Sequence, residues 1–398
     1  MIFYWIDVNI FSLAQCFNLY RSHMVNVHNG LNRRENIKLF HKLNPEVLLV
    51  FPDNITKAWL SIWEPYLLAS SFRVAVIAKS DGNKDLANVQ LPIFFSDSGI
   101  SIGQLLKAKS LKIFLYPTNR PNNFGYINKF PHIKHVFIGH GDSDKLSSSS
   151  RFSTVYDYLL VADRGACFRY SSRGVFIPKE RFLPIGAPTI PNLDVIITNK
   201  NKKLQNLLYA PTSEGKASDS NFSSLCELNW EEAFKNLLDK GYVIDFRSHP
   251  GAGERLDIYK SVRQKLSLKY SKKMSKTDSY NLSDVIICDI SGVMSEFLFT
   301  GKPIIVPVHK NDLESLVIKT IQSSNIADFV YLWDINGQPL ESFLQSIEDD
   351  PLFNVRFQRR ELKFLGSKTF DESSGKFNRA LELISLSCDI DLLANSFF

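Results

Sequence analysis

The sequence is short of several features that would have fixed its class at once. Its 398 residues include 5 cysteines, an odd number, and no two of them stand in a Cys-x-x-Cys pair. Cys16, Cys167, Cys226, Cys288 and Cys388 therefore read as reduced, mostly buried thiols, and neither a disulfide framework nor a zinc site is expected. No apolar run approaches the roughly 18 residues that a membrane span requires. The amino-terminal stretch is rich in aromatics (Phe3, Tyr4, Trp5, Phe11, Phe17) but has no basic leader or small-residue cleavage site, so it does not read as a signal peptide. No internal repeat is visible, and low complexity is confined to Ser147 to Ser150. Charge of one sign is also scarce. A net charge of +6 is too weak to imply a nucleic-acid partner. It suits a protein that handles phosphorylated substrates or rests on an anionic membrane surface.

What remains is an ordinary folded chain, 44% apolar and 22% charged, long enough for about two domains. Short apolar runs alternate with longer helix-periodic stretches. "EVLLVF" (46–51), "RVAVIA" (73–78), "LPIFFS" (91–96), "KIFLYP" (112–117), "KHVFIGH" (134–140) and "DYLLVA" (157–162) predict strands, with an aromatic helix around "AWLSIWEPYLLAS". Near-continuous apolar strands between helices signal a parallel sheet covered on both faces. The pattern pauses over 182–203, where three prolines and a lysine-asparagine run suggest a linker. It resumes with "LQNLLYAP" (204–211), "NWEEAFKNLLDKGYVIDFRSHP" (229–250), "LSDVIICDISGVMSEFLFTGKPIIVPV" (282–308) and "FVYLWD" (329–334). The expected architecture is α/β, with two Rossmann-like, doubly wound parallel-sheet domains at 1–195 and 204–385, a cleft between them, and a tail at 386–398. Ligands of such sheets bind at the carboxyl ends of the strands.

Three strand ends carry polar residues suited to that position. His140 and Gly141 end one strand, followed by Asp142, Asp144 and Lys145. The dipeptide reads either as a turn or as a general base, since histidine titrates near neutral pH. Arg247 and His249 follow "YVIDF". A guanidinium fork and an imidazole suit phosphate oxygens, although a surface arginine and a capping histidine would look the same. After "DVIIC", a strand closes on Asp289, and Ser291 and Gly292 open a helix bearing Glu296. Backbone N–H groups at such a start, with a serine hydroxyl, form an anion site; a plain N-cap with a first-turn acid is the alternative. Thr212, in the loop after "LLYAP", either caps a helix or touches the donor. The basic run "KYSKKMSK" (269–276) is a solvated face or a contact with anionic lipid or polymer.

Taken in order, "GHGDSDK", "YAPT", "RSHP" and "ICDISGVMSEFLFTGKPIIV" resemble the CDP-glycerol glycerophosphotransferase family, whose members build teichoic acids and related capsule polymers. The resemblance runs from about residue 45 to about residue 385. It implies a GT-B fold with a last helix crossing back to the first domain, and a cytoplasmic enzyme peripheral on the inner face of the plasma membrane. It also implies transfer of an alditol phosphate from a CDP-alditol to a hydroxyl of a lipid-linked or polymeric glycan, releasing CMP. His140 then matches the catalytic base, and His249 with Arg247 the holders of the donor phosphates. Ser291 and Glu296 match the serine and acid near the donor, while Gly141, Lys145, Thr212, Asp289 and Gly292 line the same segments. The sequence departs from the family at Gly292, where a second serine is usual, at Glu296, where Asp is common, and in the Asp-Ser-Asp loop. These departures keep a CMP-sugar donor in view, and a non-catalytic nucleotide-sugar-binding module is the reading from another class. Asp142-Ser143-Asp144 has Asp-x-Asp spacing, but the resemblance reads that loop as part of the family's Ser-Asp-Lys segment, and no metal or other cofactor is expected.

Overall fold

The expected strands form in the computed structural model, which describes residues 33–80, 86, 88–96, 103, 107–141, 149–189, 203–212, 224, 230–247, 249, 260–261, 264, 276–309, 326–364 and 369–395. The first sheet has seven strands, all but the last of them expected: β1 (Val47–Asn54), β2 (Val74–Ser80), β3 (Ile93–Phe95), β4 (Ile113–Tyr116), β5 (Lys134–Phe137), β6 (Tyr158–Val161) and β7 (Phe182–Pro184). Their order is β3-β2-β1-β4-β5-β6-β7, and every pairing is parallel.

Alternation along β1 shows why the run is apolar throughout. Val47, Leu49 and Phe51 enter a core with Trp63 and Leu67 of the helix Lys57–Leu68. Leu48 and Val50 point the other way, onto Phe40, Tyr126 and Phe130. Both faces are covered from Val47 to Phe51, so no position in that run is free to be polar.

The strand β7 lies inside the segment that the sequence suggested as a linker. It is three residues long, sits at the sheet edge and ends in Pro184. A proline is tolerated there because an edge strand has an N–H side without a partner. Its brevity hides it from any periodicity.

The second sheet has five strands: β8 (Asn206–Ala210), β9 (Val243–Phe246), β10 (Val285–Cys288), β11 (Ile304–Val308) and β12 (Tyr331–Asp334). Their order is β12-β11-β10-β8-β9, again all parallel. Leu207 and Tyr209 pack with Trp230, Phe234 and Leu237 on one face. Leu208 and Ala210 pack with Tyr280, Met294 and Phe297 on the other.

The carboxyl-terminal helix Phe370–Asn395 does not stay with the second sheet. Phe377, Ala380, Leu381 and Ile384 lie in the first core beside Trp63 and Leu115. The Tyr66 hydroxyl donates to Ser373 Oγ (3.0 Å), and Ser373 Oγ donates to the Ile185 carbonyl (3.0 Å). The residues up to 385 that the sequence assigned to the second domain thus end in a helix packed on the first, and that helix runs through the boundary drawn at 385. Each large apolar side chain buried in this way contributes about 1.5–3 kcal/mol, so the crossing helix is firmly held.

Strand order reverses between β1 and β4 in the first sheet and between β8 and β10 in the second. Those two reversals, at the carboxyl strand ends, are where open α/β sheets take ligands.

Candidate active site

At the first reversal, β5 delivers the chain to Gly139, His140 and Gly141. Gly139 has φ 65°, a left-handed conformation that a side chain would strain. That turn presents the Gly139 carbonyl to the indole of Trp63, whose Nε1–H donates to it at 2.7 Å. It also brings His140 Nδ1 to 2.8 Å from the Pro117 carbonyl. A carbonyl only accepts, so Nδ1 carries the hydrogen, and Nε2 of the neutral ring is left with its lone pair. The residue is exposed to solvent, while its ring is partly covered where Nδ1 meets the Pro117 carbonyl. Loss of hydration there is the main reason its pKa lies below the ordinary histidine value of 6.5; the Pro117 hydrogen bond works the other way, and the Arg120 charge lowers it further. A neutral imidazole with a bare Nε2 is the form a proton acceptor requires.

Four residues that the sequence did not single out complete this crevice. The Trp59 indole stacks on His140 with ring centroids 4.5 Å apart and planes 28° apart. The Arg120 guanidinium lies 5.4 Å from the centroid of the same indole. Arg120 NH1 donates to Asp53 Oδ2 at 3.2 Å, and Asn122 Nδ2 donates to Asp53 Oδ1 at 2.6 Å. Their only sequence signal was position: Asp53 lies at the end of β1 and Arg120 follows β4, the two strands at the reversal.

Under them a buried chain of hydrogen bonds fixes the 117–120 loop. Asn123 Nδ2 donates to the Thr118 carbonyl (2.7 Å) and to the Tyr156 hydroxyl (2.6 Å). Tyr156 in turn donates to Asn119 Oδ1 at 3.2 Å. Burial pushes the Tyr156 pKa up to about 12, so the hydroxyl keeps the proton it donates. The other histidine of β5, His135, belongs to the core: it is fully enclosed between the Tyr116 hydroxyl (2.8 Å) and the Phe130 carbonyl (3.0 Å).

The second reversal is built differently. Asp289 is 1% exposed and accepts from the backbone N–H of Thr212 (2.6 Å) and of Ser224 (3.0 Å). It is a strut that ties the loop after β8 to the end of β10. Ser291 precedes the helix Gly292–Phe297 in an extended conformation, yet its side chain makes no capping bond. Its hydroxyl is buried without a hydrogen-bond partner, as is that of Ser295 one turn later. A plain N-cap does not describe it. The unpaired hydroxyl beside the first amides of the helix can receive an oxyanion.

Arg247 follows the last residue of β9 and donates from NH1 to Ser279 Oγ at 2.6 Å. Glu296 accepts from the Tyr280 hydroxyl (2.8 Å) and pairs with Lys276 (2.7 Å). The two therefore belong to one cluster on the helix Lys276–Leu282. That helix is held from beyond by Lys302, whose ammonium donates to the carbonyls of Tyr280, Asn281 and Ser283. His249 is exposed just past Arg247. Lys145, with Asp142 and Asp144, lies outside the described residues, as does most of the basic run 269–276.

A family model described as CDP-glycerol:poly(glycerophosphate) glycerophosphotransferase matches residues 118–316, half of the chain, and takes in His140, Arg247, Asp289 and Ser291. Among solved structures, the wall teichoic acid polymerase TagF aligns with a TM-score of 0.54 at 17% identity, covering 97% of this chain and 99% of that one. The structure of Anabaena HepE in complex with UDP and glucose aligns at 0.50 and 13%, covering 86% of this chain and 100% of that one. No curated protein matches the chain. At these identities the structural likenesses speak for the fold alone, which is that of a GT-B transferase with two parallel α/β domains. The family match speaks for the chemistry: the chain belongs to the CDP-glycerol:poly(glycerophosphate) glycerophosphotransferase family and is a transferase of that type.

Proposed function

We propose that the chain transfers glycerol phosphate from CDP-glycerol to a hydroxyl of a lipid-linked or polymeric cell-surface glycan, releasing CMP. The acceptor O–H gives its proton to His140 Nε2 as its oxygen attacks the glycerol-bearing phosphorus. The bond from that phosphorus to the bridging oxygen breaks, and the electron pair leaves with CMP. Arg247, His249, the Ser291 hydroxyl and the amides from Gly292 onward receive the phosphate charge on the second domain. The observation that carries this reading is the tautomer of His140. The Pro117 carbonyl holds the proton on Nδ1 and leaves the other nitrogen free to act.

The test pairs turnover of CDP-glycerol with calorimetric titration of CMP. His140→Ala is expected to lose on the order of 10²–10⁴ in turnover, the usual worth of a positioned proton acceptor, with CMP affinity unchanged. His249→Ala is expected to weaken CMP binding as well as slow the reaction. Equal loss of CMP binding in both variants would overturn the assignment of roles. Turnover of a CMP-sugar in place of CDP-glycerol would replace the donor.

We also place the enzyme at the inner face of the plasma membrane, where a lipid-linked acceptor is presented. Among the described residues no helix is long and apolar enough to cross a membrane. Salt-sensitive flotation with anionic vesicles, and none with neutral ones, is the expected outcome. Absence of binding to either would remove the membrane from the picture.

A further inference from the structure

The assembly around Arg120 asks for an explanation that neither stability nor the proton transfer supplies. The Arg120 side chain is 50% exposed and that of Asp53 34% exposed. An ion pair so open to water contributes little to folding. A cation beside His140 also makes that ring a weaker base. Yet the guanidinium is held in one place: Asn122 orients Asp53, Asp53 takes NH1 alone, and the Trp59 indole supports the cation from below. Among the described residues one of the five N–H donors of Arg120 is engaged in this way, by Asp53.

We infer that Arg120, braced by Asp53 and mounted on Trp59, is the subsite for a phosphodiester of the acceptor, and that it sets the acceptor's terminal hydroxyl against Nε2 of His140. A planar fork on a fixed support matches the paired oxygens of a phosphodiester. The cation lies 5.4 Å and the imidazole 4.5 Å from the ring centroid of the same indole, a separation that one short ligand can span. In a glycerophosphate chain, the three carbons of one glycerol unit separate the terminal hydroxyl from the nearest phosphate. The subsite would therefore measure that spacing and favour an acceptor already carrying a glycerol phosphate end. This inference rests on His140 as the base.

The experiment compares Arg120→Ala and Arg120→Lys with the unaltered full-length enzyme, using CDP-glycerol and two synthetic acceptors. One ends in glycerol attached through a phosphodiester; the other bears the same terminal glycerol without the phosphate. The alanine variant is expected to raise KM for the phosphodiester acceptor about tenfold or more, the worth of a charge-assisted contact, and to leave KM for the phosphate-free acceptor unchanged. Lysine, which restores charge without the fork, should recover part of the loss. The CMP dissociation constant should not move.

A rise in KM for CDP-glycerol with acceptor discrimination intact would overturn the inference by assigning the arginine to the donor. No change in any constant would reduce the cluster to a surface ion pair. Failure of the base reading is seen separately, as normal turnover in His140→Ala, while the acceptor comparison is made on an enzyme that retains His140.

Discussion

The two strand-order reversals solve opposite problems with the same sheet topology. At the first, the groups that set the crevice's shape are held by partners: Trp63 on the Gly139 carbonyl, Pro117 on His140 Nδ1, Asp53 on Arg120, and the Asn123 amide nitrogen on the loop beneath. At the second, one carboxylate, Asp289, is saturated, while the hydroxyls of Ser291 and Ser295 are buried and unpaired. A preorganised set of groups suits a site whose task is to orient a nucleophile and take its proton. Unsatisfied buried hydroxyls carry a desolvation cost until something supplies the missing acceptor, and a phosphate does so. The contrast separates a site that positions from a site that is completed by its ligand.

The largest effect that probes this contrast is at Asp289. Replacing it with alanine strands the buried N–H groups of Thr212 and Ser224, each at about 1–3 kcal/mol. Stability of the second domain should fall by about 3 kcal/mol or more in urea. Trp230 and Trp333 lie in that domain's core and report the loss, whereas Trp63 lies in the first. A uniform loss in both domains would show that Asp289 is not a local strut.

Ser291→Ala is expected to behave in the opposite sense. Among the described residues nothing pairs with that hydroxyl, so its removal should leave the thermal midpoint unchanged or slightly higher. CMP affinity should fall about tenfold, the worth of one hydrogen bond to a charged oxygen. A loss of about 1 kcal/mol in stability without any loss in affinity would return Ser291 to the status of an N-cap.

How much of this was legible beforehand follows the range of the interactions. The strands could be read because burial on both faces leaves a continuous apolar signature, as in Val47 to Phe51. The places of His140 and Ser291 past the ends of strands could be read because each stands beside a glycine, a pattern contained in a few residues. Trp59 and Arg120 could not. The helix with Trp59 read only as aromatic, and its contact with His140 spans the sequence from one strand–helix unit to another. Packing of Phe377 against Trp63 leaves no local trace either, and the crossing of the last helix was expected only from the family resemblance. Glu296 was read for its place near a helix start, whereas its contacts with Tyr280 and Lys276 are set by a neighbouring helix.

The smallest effect, and the one that most sharpens the account of the first crevice, is in the pH profile. His140 must be neutral to accept a proton, and its pKa lies below 6.5 through burial first and the Arg120 charge second, with the Pro117 carbonyl opposing. The acid limb of kcat/KM for CDP-glycerol, which reports the free enzyme, should therefore fall below pH 6.5. The diphosphodiester of the donor has no proton to exchange in that range. The described charged groups facing the ring are Arg120 and, through it, Asp53, while Trp59 and Pro117 are neutral. Arg120→Ala should move the limb upward, toward the ordinary histidine value, because it removes a cation that disfavours protonation. The same sign applies to folding: the unfolded chain takes up the proton first as pH drops through 6.5, so the neutral ring costs stability on the acid side and none above it. A limb above pH 6.5, or one that stays in place when Arg120 is removed, would mean that a group other than His140 controls the rate.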